Sequence, residues 1–119
     1  MIKPRDRIIY IPNHVISLVE ALRQPIERDE DGSMISIPNT FLSHPNCEPG
    51  FVTSVTADRC AFCRFWYKVE PFTTLSLRTK SCSEKVSLEN LLLVTYQQGI
   101  TQEDIDRVCE EYSICLERT

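Results

Sequence analysis

The period of apolar positions changes several times along the chain, and each change predicts an element. Arg7 to Ile11 (RIIYI) is a short β-branched run closed by Pro12 and Asn13, which reads as a first strand. From His14 to Gln24 the spacing lengthens: Val15, Leu18, Val19 and Leu22 recur every three or four residues, Asn13 stands at the N-cap position and Pro25 stops the run. A short amphipathic helix is predicted, with those four side chains on its core face. IERDEDGSMISIP then carries five charges around the turn dipeptide Asp31-Gly32 and passes into the alternating stretch Met34 to Ile37, the pattern of an exposed hairpin.

HPNCEPG, with two prolines and a glycine in seven residues, reads as a turn-rich connection. Phe51 to Thr56 (FVTSVT) is dominated by β-branched residues, Thr56 to Arg59 supplies a polar turn, and CAFCRFW returns, so residues 51 to 66 predict a β-hairpin. Tyr67 to Phe72 is aromatic and interrupted by proline, which predicts a loop. Leu75, Leu77 and Thr79 alternate with polar neighbours as in a half-buried strand, and LLLV at 91 to 94 is a further strand. At the C-terminus Thr101 and Asp104 resemble a capping box. Ile105, Val108, Cys109, Tyr112, Cys115 and Leu116 form one stripe, with Gln102, Glu103, Asp106, Glu110 and Glu111 opposite it. Several short strands with long decorations point to a mainly β fold built on a small barrel with added helices.

Composition narrows the class. A chain of 119 residues predicts one domain spanning 1–119, and 42% hydrophobic with 25% charged residues is an ordinary globular balance. No apolar run reaches the roughly 20 residues of a membrane span, and the start MIKPRDRIIYIPNH lacks the form of a secretion signal, so the cytoplasm is the expected compartment. A net charge of −4 argues against a protein that wraps a phosphate backbone and favours a basic partner surface. Six cysteines in a reducing compartment imply either metal binding or burial.

The metal alternative rests on His44, Cys47, Cys60 and Cys63, whose H-x2-C and C-x2-C spacing suits a structural zinc. Strand geometry opposes it. Residues three apart in a strand point to opposite faces, so an extended CAFCRF cannot turn Cys60 and Cys63 toward one ion. Burial of Cys63 as a small apolar side chain is the preferred account, and no cofactor is expected. The glycines at 32, 50 and 99 stand alone, two histidines leave little for acid–base work, and no cysteine has a nucleophile's setting, so no enzyme is expected.

The pieces DRIIYIPNH, HPNCEPGFVTSV, AFCRF, TKSC and ENLLLV, in this order, resemble a group of small bacteriophage proteins. The match runs nearly residue for residue from His44 to Val55 and covers residues 5–13, 44–66 and 79–94. The resemblance implies an SH3-like β-barrel with a core of about 5–12 and 44–95, and the group usually has valine where this chain has Cys63. Two parts depart from the group: an insertion of about 14–43 and a C-terminal helix of about 101–116. The resemblance brings no catalytic residues, and fold by itself assigns no function.

Three functions follow as expectations. The first is a non-enzymatic phage-type interaction protein that binds a host protein, as an inhibitor of a host defence or nucleic-acid-handling complex. Its candidate contacts are Glu27, Asp29, Glu30 and Asp31, whose like charges have no evident folding role, and the barrel face at Trp66 and Tyr67. The second is a nucleic-acid-binding barrel using Arg59, Arg64, Lys68, Arg78 and Lys80 beside Phe65, Trp66, Tyr67 and Phe72. The third is a zinc-stabilised adaptor. The oligomeric state is not legible.

Overall fold

The computed structural model describes residues 2–42, 44–69, 74–80, 82–97 and 99–117. Among the described residues are eight strands: β1 (Arg7–Tyr10), β2 (Glu27–Arg28), β3 (Met34–Ser36), β4 (Glu48–Val55), β5 (Cys60–Val69), β6 (Thr74–Thr79), β7 (Glu84–Ser87) and β8 (Leu91–Leu93). Two helices join them, α1 (Asn13–Ala21) and α2 (Gln102–Glu117). The strands form one sheet in the order β2-β3-β8-β1-β4-β5-β6, with β7 also on β5. Every pairing is antiparallel except β3 with β8. Among the described residues β2 and β6 do not pair, so the sheet is open. The fold is mainly β with two helices, as its alternating segments predict.

The β4–β5 hairpin is the centre of the sheet, and both strands outrun the sequence prediction. β4 begins at Glu48 and includes Pro49, which pairs with Ile9. Its pairing with β5 stops at Gly50 opposite Phe65, so proline's missing donor interrupts no ladder on that side. Gly50 is needed for space. A Cβ there would lie 2.2 Å from the Arg64 carbonyl oxygen and 2.8 Å from the Phe65 ring. β5 runs on through Tyr67 to Val69, where a loop was expected, because Lys68 and Val69 pair with Leu75 and Thr74 of β6. The expected remainder of that loop, including Phe72, lies outside the described residues.

Alternation along the central strands sorts their side chains onto two faces. On one face Ile8, Val52, Ala61, Cys63, Phe65, Leu88 and Leu91 pack together, all buried. The opposite face is covered by both helices. α1 lays Val15, Ile16 and Val19 on Met34 and Leu92, while α2 lays Ile105 on Phe51 and Trp66. Adjacent Phe65 and Trp66 are therefore both buried, one on each side of β5.

Each helix start has a local cause. At α2, Thr101 and Asp104 form the reciprocal pair that the sequence suggests: Asp104 N–H donates to Thr101 Oγ1, while Thr101 N–H and its hydroxyl donate to Asp104 Oδ2. Ile105, Val108 and Cys109 follow on the core side; the side chains of Tyr112, Cys115 and Leu116 lie outside the described part. At α1 the prediction fails by one residue. Pro12 is the cap, and Asn13 instead accepts a hydrogen bond from Asn90, whose amide also donates to the Ile11 carbonyl. This ties the helix start to the strand β8 that follows Asn90.

Candidate functional site

α1 carries more apolar surface than the sheet takes up. At about 100° per residue, Val15, Val19 and Ile16 span one sector of the helix, with Leu22 and Leu18 just beyond its edge. Ile16 enters the core, which turns the helix so that Leu18 and Leu22 are 49% and 63% exposed. The sequence places Leu18 and Leu22 on the core face; the structure puts them on the surface. They stand one helical turn apart, Leu22 at the C-cap of α1. A signal was present: Ile16 widens the apolar sector beyond what one contact needs, and this surplus is what sequence reasoning missed.

The acidic turn that follows divides into two kinds of carboxylate. Asp29 builds the turn, accepting from the backbone N–H of Asp31 and Ser33 and from the Ser33 hydroxyl. Burial raises its pKa, but the hydrogen bonds from Ser33 and Asp31 outweigh that and hold it below the usual value. Arg28 closes the other side by donating to the carbonyls of Gly32 and Glu89. Asp29 thus has the folding role that the sequence did not reveal. Glu27 and Glu30 are exposed and Asp31 is partly so.

Trp66 is withdrawn as a contact. Its ring is buried, 5.3 Å from that of Phe51, and its indole N–H donates to Gln97. Tyr67 points the other way and is 48% exposed, so the expected pair forms no common face. The basic residues around it are largely engaged within the fold. Arg64 donates to the Lys80 carbonyl, Lys80 pairs with Glu48 at 2.6 Å, and Lys68 donates to the carbonyls of Pro45 and Cys47. The Lys80–Glu48 contact holds the Lys80 pKa above its ordinary value against burial.

The four residues with zinc spacing are dispersed. Cys47 immediately precedes β4, whereas Cys60 lies past the other end of that strand, beyond the Ala61–Val55 pair. At about 3.3 Å per residue the eight residues of β4 separate them by roughly 25 Å. Cys63 is fully buried, and burial pushes its thiol up to about 12. Burial likewise raises Cys47, against the pull of Lys68, and its thiol donates to the Phe41 carbonyl. His44 pairs instead with His14, their rings edge to face at 5.5 Å, with Asn46 bonded to a ring nitrogen of each. Among the described residues no three His, Cys, Asp or Glu side chains are placed to hold a metal, and no helix is long and apolar enough to cross a membrane. Compared with protein-family models, with curated proteins and with solved structures, the chain matches none.

Proposed function

We propose that the protein is a non-enzymatic, phage-type interaction protein that binds a host protein in the cytoplasm through its inserted segment. The observation that carries this is the pair Leu18 and Leu22, two large apolar side chains exposed at the edge of the α1 face that packs on the core, Leu22 at the helix C-cap. Leaving that surface in water gains the fold nothing, whereas covering what is still exposed contributes on the order of 1 kcal/mol each. The exposed Glu27 and Glu30 that follow in the chain give this segment a negative edge. Together they suit a partner with an apolar groove and a basic rim, the surface of a protein that handles nucleic acid. The SH3-like kinship belongs to the same proposal; what supports it is the β4–β5 hairpin flanked by β1, with α1 and the β2–β3 hairpin set between β1 and β4.

The test compares wild type with a Leu18→Ser/Leu22→Ser variant. Both are immobilised, exposed to host lysate, and the captured proteins are identified and then titrated in pure form. The expected result is a saturable complex for wild type, weakened at least tenfold in the variant at unchanged melting temperature. Equal binding by both proteins would remove α1 as the contact. Concentration-dependent self-association lost in the variant would identify a second copy of this chain, and not a host protein, as the cover.

A further inference from the structure

The chain carries three of its cations within five residues, Lys3, Arg5 and Arg7, although its net charge is −4. All three line one cavity of about 350 Å³ between the approach to β1, the segment after β8 and the start of α2. Asp6 is the carboxylate on this lining, and its Oδ2 accepts from the Lys3 backbone N–H. Arg5 is neutralised by Asp106 at 3.0 Å. Lys3 has no ion pair among the described residues. Arg7 has none either; it reaches the carbonyls of Thr95 and Ile100 at 3.5 and 3.4 Å, the long end of the hydrogen-bond range.

From this geometry we propose a binding site for a small phosphate-bearing ligand, with Lys3 and Arg7 holding its oxyanion. Thr95 and Gln102 supply polar groups from two further segments on the same lining. Partners arriving from three segments suit the tetrahedral oxygens of phosphate better than the two coplanar oxygens of a carboxylate. The first turn of α2 carries Glu103 and Asp104, so the attraction comes from the two cations and not from the helix. The volume exceeds a bare phosphate and falls at the small end of ligand pockets, about 300 to 1,000 Å³, leaving room for a compact attached group.

The experiment is an amide- and guanidinium-resolved NMR titration of the full chain with inorganic phosphate and, separately, with a nucleoside monophosphate, chloride balancing the ionic strength. Saturable shifts are expected at the Arg7 Nη–H groups and at the amides of Thr95 and Gln102. Lys3→Gln removes an exposed charge without an ion pair, so the variant should fold as wild type and weaken binding about tenfold, as loss of one charge-assisted contact implies. Arg7→Lys keeps the charge but removes the forked guanidinium donors and should weaken it comparably. Tighter binding of the nucleotide than of phosphate identifies an attached group in the remaining volume; equal binding identifies phosphate itself as the ligand. Shifts that do not saturate, that chloride reproduces, or that persist unchanged in Lys3→Gln overturn the site.

Discussion

Trp66 and Gln97 are joined by a buried hydrogen bond, indole Nε1 donating to the amide Oε1 at 3.3 Å. The same amide donates to the Ile8 carbonyl at 3.1 Å and to the Gly50 carbonyl at 2.9 Å. One side chain thus ties together β1, β4 and β5 at the place where α2 docks. Gln97→Leu would strand the indole N–H and two carbonyls at once. The expected cost is roughly 2 to 5 kcal/mol, measured by urea unfolding with the fluorescence of Trp66, the chain's sole tryptophan, as the probe. A loss below about 1 kcal/mol would show that water replaces these bonds.

Thiol reactivity and chelation test the dispersed cysteines together. With Cys63 pushed up to about 12 and Cys47 also raised by burial, both hold less thiolate at pH 8 than an ordinary cysteine. Exposed Cys82 should alkylate first, and Cys47 and Cys63 only after denaturation. Because the His44, Cys47, Cys60 and Cys63 side chains are spread along the length of β4, a chelator should leave the melting temperature unchanged. Native-state labelling of Cys63, or loss of cooperative unfolding in chelator, contradicts this arrangement.

What the sequence made legible was local. The hairpin of β4 and β5 follows from β-branched runs around a polar turn, and the Thr101–Asp104 box is written in four consecutive residues. The Cys60 and Cys63 argument from strand parity also holds, since it needs only the period of a strand. What stayed hidden depends on partners distant in the chain. Trp66 looks like a surface aromatic until α2 covers its side of β5. Leu18 looks like core until Ile16 sets the rotation of α1 against Met34 and Leu92. Asp29 is an intermediate case: its short-range bonds to Asp31 and Ser33 were within reach, but a run of five charges drew attention to charge and away from turn geometry.

The acidic turn should therefore split under mutation. Asp29→Ala removes three hydrogen bonds that build the turn and should destabilise the protein by about 1 to 2 kcal/mol. Glu30→Gln, on an exposed side chain, should stay within about 0.5 kcal/mol. Thermal melts of the two variants decide it. Since the folded pKa of Asp29 is depressed, its stabilisation is present above the usual carboxylate value and is lost as the pH falls below it. The gap between wild type and Asp29→Ala should narrow toward pH 3. Equal melting of the two variants at neutral pH would show that these hydrogen bonds do not hold the turn together.

Asp58 offers the sharper pH test. It sits in the β4–β5 turn beside Arg59, whose φ of 60° places it in the left-handed region, and its carboxylate accepts from the Thr56 hydroxyl and from Lys85 of β7 at 2.9 Å. The Thr56 hydrogen bond, and after it the one from Lys85, lower its pKa from 3.8 to about 2. Lys85 moves the opposite way, raised by the same contact. A depressed acid stabilises the fold fully above its unfolded value and loses that contribution as the pH falls through about 2; a raised base stabilises below its unfolded value and loses it when the pH rises through the folded one. Both groups are charged across the broad window between, so turn and β7 should remain joined from weakly acid to weakly alkaline solution. Asp58→Asn should lower the melting temperature at pH 7 by a small amount, as exposed pairs do, and the difference from wild type should shrink between pH 4 and pH 2. The carboxyl carbon of Asp58, followed by NMR, should titrate near 2 in wild type and near the ordinary aspartate value when Thr56 and Lys85 are replaced together by Val and Met. An ordinary midpoint in the wild-type protein would mean that neither contact is kept in solution.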